Sequence, residues 1–506
     1  METMTGLDAK FLYSETPTAH MHTVKVVVSD VSALKGEFSF DTLIEILADQ
    51  LGRLPPFRRR VVPVPWGLGH PVWVEDPEFD LKRHISRRVL AGPACDRELA
   101  AVVADFAGTP LARDRPLWEL LVVEGLVGGR IAVVAKIHHA VADGSAVVAL
   151  LQNVVQGADV EQSREPDADS WRPEPLPTRR ELLRMAAHDH VVRWKGLPRF
   201  VVQSARQARA SEARRRSFAV KPPLPLHHIP KTSFNVSLTS ERTFAMTKLP
   251  LEDLKSIRRT AGTTLNDVYL CVCAGALRRY LLDGGELPAR PLVASVPIST
   301  DPNVARMSGN RVDNLYVSIG TDIADPVQRL EHIRSMTAAS KEVRRVLGHD
   351  LFERRADLVP PQIYHSAVRL WTRSHIADRV HPPLNVVLSN VTGPRERIFF
   401  GPIQLESLYS VGPILEGIGL NITAWSYAEA LHVSVLGCPA SVPDPWLITD
   451  ALHQSLSELK QASDRAVGTA PTGADAGQAA PEPAEGTRSA QDVRAAATAP
   501  AVSPEP

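Results

Sequence analysis

Residues 131–145 read Ile-Ala-Val-Val-Ala-Lys-Ile-His-His-Ala-Val-Ala-Asp-Gly-Ser, and a second apolar run, 146–151, follows at once. The first run, rich in β-branched side chains, suits a buried strand. Asp143-Gly144 is turn chemistry that ends it, and the next run suits a helix. A strand that passes through a polar turn into a helix belongs to an α/β architecture. Two imidazoles, His138 and His139, thus stand where a rigid element meets a loop, a place where a scaffold fixes a side chain while leaving it accessible. Neutral imidazole, with a pKa near 6.5, takes a proton from a hydroxyl at physiological pH and returns it to a leaving group. Adjacent strand residues point to opposite faces, so the two histidines should have different jobs. From the residues alone, a hydrogen-bonded structural pair and a plain Asp-Gly turn remain open. A metal site lacks a third ligand at recognisable spacing.

At 506 residues the chain exceeds one hydrophobic core, and two domains are expected, three at the outside. Residues 1–160 form an N-terminal mixed α/β segment, with strands expected near 24–28, 71–74 and 120–124 and helices near 42–51 and 97–107. Residues 161–232 read as a basic, partly helical linker: Pro173, Pro175 and Pro177 precede an arginine-rich stretch interrupted at Pro198, and Pro222, Pro223 and Pro225 follow. A second α/β segment, 233–462, opens on an alternating strand at 242–249. It continues with a helix at 265–282 and strands at 292–296, 312–319, 386–389 and 431–436. The Ala/Pro-rich tail, 463–506, has too few large apolar side chains to offset the entropy of ordering and is expected to be disordered.

Apolar residues at 44% and charged residues at 23% match an ordinary globular protein. The 57 basic residues balance 57 acidic ones, which gives no electrostatic ground for nucleic-acid binding. Cys95, Cys271, Cys273 and Cys438 form neither a metal spacing nor a disulfide framework, pointing to a reducing, cytoplasmic setting. Glu2, Asp8, Lys10 and Glu15 interrupt the first thirty residues, so no secretory signal is expected. No apolar run approaches the roughly 18 to 20 residues that cross a bilayer, leaving peripheral contact as the mode open to the chain. In the basic stretch, Leu183, Trp194, Leu197, Val201 and Ala205 alternate with arginines. That pattern suits a helix on an anionic lipid surface or one packed between domains.

The pattern His138-His139-x-x-x-Asp143-Gly144 resembles the active-site motif of the wax ester synthase/diacylglycerol acyltransferase family, within the CoA-dependent acyltransferase superfamily. Further segments agree in order: Leu7-Asp8-Ala9 with Phe11, Leu12, Glu15 and His20-Met21-His22; Arg115-Pro-Leu-Trp-Glu119; Asn266-Asp267-Val268; Gly309-Asn310; Pro383-Leu-Asn385; and Ser389-Asn-Val-Thr-Gly-Pro394. The resemblance covers about residues 5–460. Thr392 departs from the proline more usual in relatives, and condensation domains of peptide synthetases share the histidine motif. The resemblance implies an α/β fold of two chloramphenicol-acetyltransferase-like domains, mixed sheets with flanking helices, around a central tunnel. It implies His139 as general base, His138 as pocket-shaping, Asp143 as a structural carboxylate paired with an arginine, and Gly144 as a point of close backbone approach. Asn266 is a substrate-positioning candidate or a plain helix cap. The implied reaction is direct transfer from acyl-CoA, a cosubstrate, to diacylglycerol, or to a fatty alcohol, with no bound cofactor and no metal. No Gly-x-Ser-x-Gly is present to supply an acyl-enzyme serine. Acylation of another secondary hydroxyl and a non-catalytic lipid-droplet protein are the alternatives.

Overall fold

The computed structural model describes residues 1–31, 39–51, 54–144, 146, 175–224, 229–300, 306, 308–347, 359–400 and 403–468. From the N-terminus the chain forms β1 (Glu2–Thr3), α1 (Gly6–Ser14), β2 (His22–Asp30), α2 (Phe40–Leu51), β3 (Arg59–Val62), β4 (Val72–Glu75), β5 (Ile85–Ala94), α3 (Asp96–Ala107), β6 (Trp118–Leu126) and β7 (Arg130–His138). The long α4 (Arg179–Arg216) leads to β8 (Thr243–Pro250), α5 (Leu251–Ala261), α6 (Leu265–Asp283), β9 (Val293–Ser299), β10 (Val312–Ser318), α7 (Pro326–Leu347) and α8 (Pro361–Arg373). The chain finishes with β11 (Val386–Thr392), β12 (Phe399–Phe400), β13 (Ile403–Val411), β14 (Asn421–Tyr427), β15 (Ala430–Gly437) and α9 (Trp446–Gly468). The helix expected after Gly144, beyond residue 146, lies outside the described residues, as do residues 161–174 of the linker.

Two six-stranded mixed sheets organise the fold, in the orders β12-β13-β2-β7-β6-β5 and β10-β9-β11-β14-β15-β8, with a small third sheet, β1-β4-β3. Helices α5, α6, α7 and α9 cover one face of the second sheet, and Tyr269, Leu270, Ile333 and Leu452 are buried there beside Leu388, Ile422 and Val433. On the first sheet, Val24, Val26 and Val28 pack with Leu99 and Val103 of α3. The opposite face meets the second sheet through Ile137, Leu408, Trp425 and Tyr427.

The expected boundary at residue 233 does not hold for every strand. β12 and β13, from the second half of the chain, complete the first sheet, with β13 antiparallel to β2 through Leu408↔Val27 and Ser410↔Lys25. The reason is burial: nearly every residue of β2 is covered, so its free edge needs a partner.

The linker also differs from expectation, because α4 runs unbroken through Pro198 for 38 residues. At one end Leu182 and Ala186 pack on Val64, Val72 and Val74 around the small sheet. At the other, Ser211 Oγ donates to the Val343 carbonyl of α7. The start of the tail expected to be disordered from residue 463 is helical instead: α9 continues to Gly468, and residues 469–506 lie outside the described residues. Among the described residues no helix is long and apolar enough to cross a membrane.

Candidate active site

β7 and β2 pair antiparallel with His138 opposite His22, and the His139 amide extends the ladder by donating to the Met21 carbonyl at 2.8 Å. Beyond the last regular strand residue the neighbouring imidazoles diverge. His138 is 1% exposed. The Ala140 N–H donates to its Nδ1 at 3.0 Å, so Nδ1 is unprotonated and Nε2–H faces Glu15 Oε2 at 3.2 Å. Burial, with Arg113 and His139 nearby, holds the His138 pKa well below the ordinary imidazole value. Arg113 pairs with Glu15.

His139 is only partly buried, and its ring stacks on Phe11 of α1 with centroids 4.1 Å apart and planes 8° from parallel. Its Nδ1 lies 2.9 Å from Asn310 Oδ1. The Asn310 amide orientation follows from its partners, since Nδ2 donates to Asp8 Oδ1 and to the His139 carbonyl, both at 2.7 Å. Oδ1 therefore accepts, His139 Nδ1 carries the proton, and Nε2 keeps its lone pair. Burial lowers the proton affinity of His139 and the Lys25 ammonium adds to this, while a backbone hydrogen bond, Asp143 and Asn310 oppose them. Asp8 in turn is fixed as part of the α1 N-terminal cap with Thr5, and burial raises its pKa.

The next turn is zipped to the loop before β10. The Gly309 N–H donates to the Val141 carbonyl at 2.7 Å, and the Asp143 N–H to the Gly309 carbonyl at 3.3 Å. The fully buried Asp143 carboxylate accepts from Arg306 Nη2 at 2.5 Å, from the Arg311 amide at 2.8 Å and from the Ala146 amide at 2.9 Å. A Cβ on Gly144 would stand 3.2 Å from Val391 Cγ2 of β11, so glycine permits this approach of the two halves. A cavity of about 200 Å³ adjoins the network, with Asp8, Asn310, Trp73 and Val141 in its wall.

Asn266 takes no part in this network. It is the second residue of α6, whose cap is Thr264, reciprocally bonded with Asp267, so Asn266 is not the cap either. Asn310 and Asp8 are the residues to which sequence reasoning gave no role, although both lie in quoted family segments. His20 and His22, from the N-terminal segment, make hydrogen bonds to the Gly108 and Ala107 carbonyls, satisfying the C-terminal end of α3.

A buried strand that presents one imidazole with a defined tautomer between two mixed sheets defines an acyltransferase-type α/β architecture. Residues 4–269 match the wax ester synthase/diacylglycerol acyltransferase catalytic domain, and residues 308–460 match the WS/DGAT C-terminal domain, so the chain belongs to the WS/DGAT family of acyltransferases. It is 40% identical to Rv0221 of Mycobacterium tuberculosis, provisionally named a diacylglycerol O-acyltransferase, over 92% of this chain and 97% of that one. Rv1760 of the same organism, named likewise, is 34% identical over 92% and 91% of the two chains. Among solved structures, the wax ester synthase/diacylglycerol acyltransferase of Marinobacter aquaeolei VT8 aligns with a TM-score of 0.63 and 27% identity, over 92% of this chain and 100% of that one. The first condensation domain of the CDA synthetase shares the fold, with a TM-score of 0.54 and 17% identity over 91% and 96% of the chains.

Proposed function

We propose that the protein moves a long-chain acyl group from acyl-CoA to the hydroxyl of diacylglycerol, giving triacylglycerol, with His139 as general base. One observation carries this: the Asp8–Asn310–His139 chain of hydrogen bonds leaves Nε2 as the unprotonated nitrogen. In the proposed reaction Nε2 takes the hydroxyl proton as the alcohol oxygen bonds to the thioester carbonyl carbon, whose π pair moves onto oxygen. When the carbonyl re-forms, the C–S bond breaks and His139 returns the proton to the CoA sulfur. Asp143 takes no proton in this step and holds the histidine turn against Arg306. The step requires neither a metal nor a bound cofactor. Diacylglycerol as acceptor draws on the names of the mycobacterial relatives, and fatty alcohols are the second acceptor class, on the name of the Marinobacter relative.

The acceptor is lipid, and the chain carries exposed apolar side chains beside arginines: Ile363 and Leu370 on α8, with Arg369 and Arg373. We assign this face to peripheral contact with a membrane or droplet surface. The function is tested with purified protein and palmitoyl-CoA, offered diacylglycerol and hexadecanol side by side while thiol release and lipid products are both followed. Ester formation that falls about 10²- to 10⁴-fold in His139→Ala is expected. Thiol release without ester, or full turnover by His139→Ala, overturns the proposal.

A further inference from the structure

Two lysines are buried on adjacent strands of the first sheet, and their surroundings differ. Lys136 of β7 has a complete set of partners: Glu119 at 3.0 Å, Thr109 Oγ1 at 2.9 Å, and the Thr109 and Phe106 carbonyls at 3.1 and 3.2 Å. Lys25 of β2, 6% exposed, donates to one acceptor, Ser410 Oγ of β13 at 2.6 Å, and lies 5.7 Å from the centre of the Trp425 ring of β14. Among the described residues no carboxylate pairs with it. An ammonium has three N–H groups, so among the described residues two have no acceptor, in a place where an unmatched charge is costly.

The position of Lys25 says what such a charge would serve. It stands opposite Ala135 on the strand face that continues through Ile137 toward His139, and that face meets the second sheet. The charge of Lys25 lies close enough to the site to lower the proton affinity of His139, and Asp143 in turn raises that of Lys25. The other charged or titratable groups around the pair are already committed: Asp143 to Arg306, Asp8 to Asn310, and Glu15 to His138 and Arg113.

Building on the acyl-transfer chemistry above, we propose that Lys25 is a further residue of the transferase site, whose ammonium stabilises the negative charge on the thioester carbonyl oxygen when the alcohol adds. Burial pushes its pKa down to about 7, so it delivers this charge below that pH and loses it above. A cation that no carboxylate of the described residues pairs with is better matched when the substrate turns anionic, which separates transition state from ground state.

Lys25→Met, similar in length and uncharged, is the test. The expected variant melts at or above the temperature of the parent, because an unmatched buried charge has gone. Its kcat falls about 100-fold while the KM for palmitoyl-CoA stays within about threefold. The fall in kcat as pH rises through about 7 in the parent is expected to vanish in the variant. Turnover within about threefold of the parent overturns the proposal. So does a melting temperature that drops together with turnover, which would assign Lys25 to packing. Ser410→Ala, which keeps the charge, provides a second reading: it should retain the alkaline fall, and losing that fall counts against Lys25. If His139→Ala loses turnover and Lys25→Met does not, this inference alone fails; if His139→Ala keeps turnover, the general-base reading fails first.

Discussion

Asn310 Oδ1 stands 2.9 Å from His139 Nδ1 although 171 residues separate the two in sequence. The contact joins the two halves of the chain and selects one imidazole tautomer. Asp8 holds the far end of the amide, so the ring orientation depends on three segments at once.

Replacing Asn310 with leucine should therefore damage transfer more than folding. Without the acceptor at Nδ1 either tautomer is available, and kcat should fall about 10- to 100-fold, as for other groups that orient an imidazole. Asp8→Asn, which keeps the size of the side chain, should cost less. Steady-state kinetics with thermal melts on both variants checks the order.

Asp143 accepts from Arg306 while itself wholly buried. Breaking such a buried pair by removing one partner costs about 3–5 kcal/mol. Asp143→Ala should accordingly lower the midpoint of urea unfolding sharply, whereas a catalytic role for the carboxylate would leave that midpoint in place.

Acid should weaken the fold as soon as the histidines of the unfolded chain begin to take up protons. Burial chiefly lowers the pKa values of His20 and His432 to about 4, against 6.5 for a free imidazole. Between those values the unfolded chain binds more protons than the folded one, so stability is complete above about pH 6.5 and declines as pH falls toward 4. Melting temperatures across that window should fall monotonically. The acid limb of kcat/KM should lie below 6.5 for the parallel reason that His139 is lowered.

Pro198 sits inside α4. A proline in a helix interior removes a hydrogen bond and crowds the preceding turn, at about 3 kcal/mol. Pro198→Ala should raise the melting temperature and leave turnover alone, a combination read from one sample by calorimetry and thiol release.

Gly275 of α6 has the opposite sensitivity. A Cβ there would meet Ser455 Oγ at 2.1 Å and Arg329 Nη1 at 2.6 Å. Gly275→Ala should destabilise by about 1–3 kcal/mol through overpacking, measurable as a lowered denaturation midpoint.

What the sequence disclosed was local. The strand ending at His138 and the helix from Leu265 follow from side-chain type and period, which neighbours in sequence decide, whereas the turn expected at Asp143-Gly144 falls at residues 139–141 and Gly144 is already helical. Asn310 and Asp8 stayed silent because their role exists only once distant segments meet. The helix through Pro198 defied its own proline because packing at both ends of α4 outweighs local preference. β13 is not among the strands read from the sequence, and nothing in its residues names the sheet to be joined.

The placement of β13 next to β2 also governs the order in which this protein can be made. The second strand from the N-terminus waits for residues near 411 before its open edge is covered, so the first sheet cannot finish while the chain is still half synthesised. A nascent chain that stalls after the long helix would expose that edge to other chains. Expressing the two halves as separate polypeptides should for the same reason give insoluble material unless both are produced together.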